Sequence, residues 1–249
     1  MMKLENQTVV VVGGSSGIGL AVVRQAAAAG ARVIAVGRDE RKLAAALDGI
    51  EGREGREGLD GRVSGVALDA TDRAALDRFF AAQGPIDHLV LTLSGGEGAG
   101  PFEALDLNAL RRGFEAKFWP QLQAAQAGLA ALRRGGSLTF VTAISARIAR
   151  PGVAGLAAIN GALESMIGSL ARELAPSRVN AVSPGVIDTP WWSGVPADAR
   201  AEVFDEQART LPVGRVGQPD DVAHAVRFLM ENGFVTGTVI ECDGGLHLL

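Results

Sequence analysis

Near its start the chain sets Val9, Val10, Val11 and Val12 in succession after Thr8. A run without polar alternation is the pattern of a strand covered on both faces, as inside a parallel sheet. Gly13, Gly14, Ser15, Ser16, Gly17, Ile18 and Gly19 follow at once, and then a segment, 20–29, in which Ile18, Val22 and Ala26 fall at helical spacing. The same alternation continues to the C-terminus. Further strands are predicted at 32–36, 63–68, 87–93, 137–142, 178–182 and 235–240. Between them lie predicted helices at 40–47, from a Thr71 cap through Leu76, Phe79 and Phe80, at 105–132, and at 152–174. A mostly helical insertion is predicted at 191–211, and a last helix starts at Pro219 and carries Val222, Val226 and Leu229. Pro120 lacks a backbone donor and is expected to kink or divide its helix. Leu163, Met166, Ile167, Leu170 and Leu174 make one apolar stripe, which reads as core. Residues 51–58 alternate glycine with charge, have no apolar face, and read as a mobile surface loop. Strands alternating with helices, without a linker, predict one α/β unit over 1–249. It is a Rossmann-type, doubly wound parallel sheet of about seven strands with a small helical insertion near 190–215.

Composition narrows the class. With 249 residues, 47% of them hydrophobic and 21% charged, the chain can bury a sizeable core. A formal net charge of −4 gives no reason to expect nucleic acid or an anionic membrane as partner. The single cysteine, Cys242, excludes an internal disulfide and a cysteine-based zinc cage, and His88, His224 and His247 lack metal-ligand spacing, so no metal is expected. The start has no signal-like apolar run and no later run is long enough to span a bilayer, so a soluble, cytoplasmic protein is expected. The chain contains no tyrosine.

The glycine-rich turn after the first strand is the first candidate for chemistry. Free N–H groups at a helix start, together with the positive end of the helix dipole, form a seat for phosphate. Gly13, Gly17 and Gly19 permit the sharp turn and a close backbone approach to a pyrophosphate. At the end of the second predicted strand stand Gly37 and Arg38, where an acidic residue would hold the ribose 2′-hydroxyl of NAD. An arginine there favours the 2′-phosphate of NADP; otherwise Arg38 is a solvated loop residue.

Taken together, residues 13–19, Asp69 with Ala70, 178–185, Thr189 with Pro190, Gly237, and 243–245 are similar, in order and spacing, to those of the short-chain dehydrogenase/reductase family. The resemblance runs nearly end to end and implies an NAD(P)-dependent oxidoreductase. It implies that Gly13 to Gly19, with Ser15, Ser16 and Ile18, hold the phosphates, and that Asp69 and Ala70 flank the adenine. Ser94 and Gly95 would pass under the ribose, in a Thr92–Leu93–Ser94–Gly95 stretch that departs from the family's Asn-Asn-Ala-Gly. Pro184, Gly185, Ile187 and Thr189 would meet the nicotinamide end, Ile187 through its backbone. Trp191 and Trp192 would line an apolar substrate pocket, or else pack the insertion against the body.

The resemblance also implies a catalytic serine, tyrosine and lysine, with an asparagine on a neighbouring helix. Counted back from residues 170–176, these positions fall on Ala143, Leu156, Asn160 and Lys117. Leucine has no proton to give, and proton transfer to a developing alkoxide is worth ~10²–10⁴-fold in rate. Lysine and asparagine have in effect exchanged helices. Lys117, Asn160 and Ser145 are therefore the candidate catalytic residues, Lys117 as a cation or proton source if buried, Ser145 (or Thr142) as a hydroxyl. The alternative is that Lys117 is a helix-surface lysine and Asn160 a cap or core amide. Three functions follow. The first is NADP-dependent hydride transfer to a small carbonyl or imine-type substrate at an atypical site; the second is a non-catalytic NADP-binding sensor or partner subunit; the third is a non-redox enzyme reusing the pocket. A homodimer or homotetramer is implied through the long helices, where Ala124, Ala127, Ala158 and Ala162 would permit close approach.

Overall fold

The computed structural model describes residues 3–51 and 61–249. Nearly all of the predicted 51–58 loop lies outside the described residues. In chain order the elements are β1 (Thr8–Val12), α1 (Gly17–Ala28), β2 (Arg32–Gly37), α2 (Glu40–Glu51), β3 (Val63–Ala67), α3 (Arg73–Gln83) and β4 (Ile86–Leu91). There follow α4 (Leu107–Gly128), β5 (Leu132–Val141), α5 (Ala154–Glu173), β6 (Arg178–Pro184), α6 (Ala197–Thr210), α7 (Pro219–Glu231) and β7 (Val239–Cys242). The strands form one seven-stranded sheet in the order β3-β2-β1-β4-β5-β6-β7, with every pairing parallel.

The valine run explains the centre of this sheet. Successive side chains of a strand point to opposite faces. Val9 and Val11 accordingly pack with α1, α2 and α7 on one face, and Val10 and Val12 with α3, α4 and α5 on the other. All four are buried, each at roughly 1.5–3 kcal/mol for a full valine-sized side chain. A polar residue at any of them would face core whichever way it pointed, which is why the run has no alternation. The strand order reverses between β1 and β4, and in such sheets the crevice at the carboxyl ends of the strands at that point is where ligands bind.

Four expectations are corrected. Pro120 does not divide its helix: α4 runs unbroken from Leu107 to Gly128. Tight packing flanks the proline on both sides, since a Cβ on Gly113 would lie 2.6 Å from the Glu97 carbonyl oxygen and one on Gly128 would lie 2.4 Å from Leu89. That packing outweighs the ~3 kcal/mol that an internal proline costs. The cap of α3 is Asp72, whose carboxylate accepts the Ala75 N–H at 2.9 Å, because the Thr71 hydroxyl is turned back onto Asp69, also at 2.9 Å. β7 starts at Val239 and not at 235: the Val235 carbonyl is taken by Asn180 Nδ2 and the Thr236 hydroxyl by the Val179 N–H. Gly237 then turns at φ +72, so this stretch joins β6 through these side-chain bonds together with the backbone bonds from Gly237 N–H to Val179 and from Ala181 N–H to Thr238. Finally, Ala124 and Ala127 are buried in the chain's own core beside α3, so their small size serves packing within one chain and not a contact between copies. Ala158 is exposed and Ala162 half-buried.

Candidate active site

The glycine turn leaves β1 and enters α1 with no slack. A Cβ on Gly19 would lie 2.1 Å from the Gly13 carbonyl oxygen, and one on Gly13 (φ +96) would lie 2.6 Å from the Thr92 hydroxyl. The first N–H groups of α1 have no carbonyl of their own helix to bond, as at any helix start. Ser16 occupies the N-cap yet makes no side-chain cap bond, so its hydroxyl is not consumed by the helix. Gly17 faces Thr189, whose side chain would be 3.4 Å from a Cβ there. The seat predicted for phosphate therefore has Thr189 across from it, and Ile18 anchors its helix by packing on the core. These residues fit a dinucleotide pyrophosphate: the space is kept by missing Cβ atoms and the donors are backbone N–H groups.

At the adenosine end, Gly37 closes β2 against Ser15, which lies 3.2 Å from where a Cβ would stand, and Arg38 is exposed beyond it. Arg38 helps hold the Asp69 carboxyl below its usual range, although the larger causes are the hydrogen bonds from the Thr71 N–H and hydroxyl. Ala70 is buried beside it. At the other end Pro184 closes β6, and Gly185 passes so near Asp243 that a Cβ would be 2.7 Å from its Cα. Ile187 is buried, and its carbonyl accepts the Trp192 indole N–H at 3.0 Å. Trp191 donates its indole N–H to the Gly95 carbonyl at 3.0 Å and so reaches from the insertion to the loop after β4, where Ser94 is exposed. Trp191, Trp192 and Phe204 stack edge-to-face in sequence, with centroids 4.9 and 5.4 Å apart. The two tryptophans thus pack the insertion against the body. A cavity of about 420 Å³ lies between Phe204, Asp205, Arg215 and Asp188, and no residue of α4 or α5 lines it.

The decisive group is Lys117. Only 7% of it is exposed, and its Nζ donates to the Thr142 carbonyl at 2.9 Å where β5 ends. Burial pushes its pKa from 10.5 down to about 8, and the Glu164 carboxylate opposes that fall. It is not a surface lysine. Asn160, also buried, donates from Nδ2 to the Ser145 hydroxyl at 3.1 Å and to the Leu156 carbonyl at 2.9 Å, while its Oδ1 has no partner. A hydroxyl that accepts one bond is polarised to donate its own proton onward. Lys117 and Asn160 do not bond to each other; the structure joins them through the exit of β5, one on Thr142 and the other on Ser145.

A family model described as enoyl-(acyl carrier protein) reductase matches residues 12–247. The chain is 34% identical to the cis-4-hydroxycyclohexanecarboxylate dehydrogenase of Sinomonas cyclohexanicum, over 95% of this chain and 94% of that one. The chain belongs to the short-chain dehydrogenase/reductase family. Among solved structures of the family, a small-chain dehydrogenase in complex with NADPH superposes with a TM-score of 0.81 at 32% identity, covering 98% of this chain and 100% of that one. The reductase/Diels-Alderase MalC of Malbranchea aurantiaca superposes at 0.89 with 27% identity, covering 100% and 99%.

The Lys117–Thr142 and Asn160–Ser145 pairs both lie where the chain leaves β5. Sequence reasoning missed Glu164, which takes the Thr142 hydroxyl at 2.7 Å, and Gln121, which lies fully buried and donates to the Leu93 and Val141 carbonyls. The available signal for Glu164 was an acid inside the Leu163–Ile167 stripe. His88 is buried, bonded to Ser137 and Gln7 near the start of β4. Among the described residues no cluster of potential metal ligands occurs and no helix is long and apolar enough to cross a membrane.

Proposed function

We propose that this chain is an NADP-dependent reductase of small carbonyl or imine-type substrates in which Lys117 and Ser145 replace the phenol that the family uses. The observation that carries this is a lysine held 7% exposed where β5 ends, in a chain without tyrosine. Bound NADPH would supply the hydride. Lys117 would set a positive charge against the oxygen that becomes negative, and with a pKa of about 8 it can also release a proton near neutrality. Ser145, polarised by Asn160, would donate the second hydrogen bond. A neutral cyclic imine is more basic than a ketone oxygen and would take that proton from Lys117 at nitrogen as the hydride reaches carbon, so the same pocket suits it better than a simple ketone. The Trp191–Trp192 face would cover an apolar substrate and exclude water.

Arg38 carries the preference for NADP over NAD, supported by the NADPH complex of the superposed relative. The whole chain, 1–249, would act as one cytoplasmic unit, paired or tetrameric through the solvent faces of α4 and α5. A non-catalytic NADP-binding sensor is the second reading, favoured by the absence of any tyrosine.

Fluorescence titration with NADPH, followed by a panel of ketones and cyclic imines, separates them. Tight NADPH binding, weakened at least tenfold in Arg38→Glu, with imine turnover lost in Lys117→Ala, supports the enzyme. NADPH binding without turnover of any carbonyl or imine supports the sensor. No binding of either nicotinamide cofactor defeats both.

A further inference from the structure

We infer that Glu164 is a positioning residue for this site, coupled through Thr142 to Lys117 and through Arg147 to an ion-pair chain that ends at the C-terminus. The inference rests on Lys117 being the group that faces the substrate. Thr142 has two faces in the structure. Its carbonyl accepts the Lys117 ammonium, and its hydroxyl donates to Glu164 Oε1 at 2.7 Å. Ser183, from β6, donates to the same oxygen at 2.8 Å, and Arg147 Nε donates to Oε2 at 2.8 Å. Arg147 also bonds Glu241 of β7 at 3.0 Å, and His247 stands 3.5 Å from Glu241 and 2.8 Å from Asp243.

The side chain of Glu164 is 8% exposed, on the helix that contributes Leu163 and Ile167 to the core. A carboxylate withdrawn from water is costly unless charge and hydrogen bonds compensate it, and an apolar residue there would avoid that cost. Pairing with Arg147 does not account for it alone, because Arg147 already has Glu241 and is itself one-third exposed. What an apolar replacement would not supply is negative potential behind Lys117. Opposite charges stabilise each other's ionised forms, and Glu164 is the charged group that holds up the proton affinity of Lys117 against burial. The charged group that acts on the lysine is Glu164 on α5, and behind it follow in ion-paired succession Arg147 after β5, Glu241 on β7, and His247 with Asp243. His247 is drawn toward its protonated form by the Asp243 carboxylate.

Only three of the 24 basic residues are lysines, Lys3, Lys42 and Lys117, so ¹³Cε-lysine labelling gives a spectrum of three resonances. The Lys117 resonance is the one lost in Lys117→Met. In Glu164→Gln its titration midpoint should fall by roughly half a unit or more, and in Glu164→Asp, which keeps the charge, it should move back toward wild type. The pH profile of turnover should shift with it. Arg147→Gln, at a partly exposed position, should raise the midpoint by removing the cation that competes for Glu164. It carries the test should Glu164→Gln not fold. A Lys117 midpoint unmoved in Glu164→Gln, or unmoved in Arg147→Gln, overturns the inference and leaves Glu164 as a brace for the turn at Arg147. The titration needs no substrate. If it behaves as stated while reduction is indifferent to Lys117→Ala, the proposed function fails and the coupling stands.

Discussion

Replacing Lys117 by methionine tests how the site is charged. The side chain keeps its length and loses its charge. In the folded chain the ammonium gives up its proton at about pH 8, against 10.5 when unburied. Below pH 8 both folded and unfolded chains hold the proton, and the cost of burying it stands in full. Between 8 and 10.5 the unfolded chain holds a proton that the folded chain has released, so wild-type stability rises with pH across that window. At ~1.36 kcal/mol per unit the whole rise is about 3 kcal/mol. At neutral pH the cost is offset by the ammonium's bond to the Thr142 carbonyl, worth ~1.5–3 kcal/mol, so Lys117→Met should unfold within ~1 kcal/mol of wild type there. At pH 10.5 the neutral amine still donates to Thr142 without the burial cost, and wild type should lead by about 3 kcal/mol. Urea unfolding followed by tryptophan fluorescence at pH 7 and 10.5 measures both. The chain suits the experiment because it has no tyrosine and few lysines. The Cys242 thiol, pushed up by burial, titrates alike in both proteins and cancels. A stability difference that stays level from pH 7 to 10.5 refutes the assignment of a buried, titrating lysine.

Gly19→Ala would place a Cβ 2.1 Å from the Gly13 carbonyl; the turn must open, costing ~1–3 kcal/mol in urea unfolding and at least tenfold in NADPH affinity by fluorescence titration. His88 is held neutral by burial, with its pKa lowered from 6.5 to about 4. Its contribution is complete above pH 6.5 and is lost as pH falls toward 4, up to about 3 kcal/mol, and His88→Gln should unfold without that slope. Ser145→Ala and Asn160→Ala should each lower turnover ~10–100-fold with NADPH affinity unchanged, and the double variant should be no slower than Ser145→Ala, because Asn160 acts through the hydroxyl.

What the sequence disclosed and what it withheld divide along a physical line. The cradle was legible because it is local: Gly13, Gly17 and Gly19 are needed by a turn whose contacts are with each other and with Thr92 and Thr189. The valine run was legible because burial on both faces leaves no freedom in residue type. Lys117 was picked out as a candidate but its burial was not legible, since helical spacing says which residues share a face but not whether that face meets solvent or the end of β5. Glu164 was hidden for the same reason, its partners Thr142, Ser183 and Arg147 being from 17 to 22 residues away in sequence. Pro120 and Val235 misled in a related way. Each local rule was outweighed by tertiary contacts, Gly113 against Glu97 and Gly128 against Leu89 in one case and Asn180 in the other.

The choice of lysine at 117 is informative when set against the other cations. The chain uses arginine for 21 of its 24 basic residues, and arginine is the better residue for forked pairing with carboxylates, as Arg215 shows with both oxygens of Asp221. A guanidinium at 117 would keep its positive charge at any relevant pH and could not release a proton. An ammonium brought to about pH 8 by burial can do both, presenting charge to an oxyanion and then surrendering the proton to it. A methionine in the same place would be free of the burial cost and would do neither. The one buried member of a scarce residue type therefore sits where only its titration distinguishes it from better-packing alternatives, and Glu164, four residues beyond Asn160 on α5, stands where it limits how far burial lowers that titration.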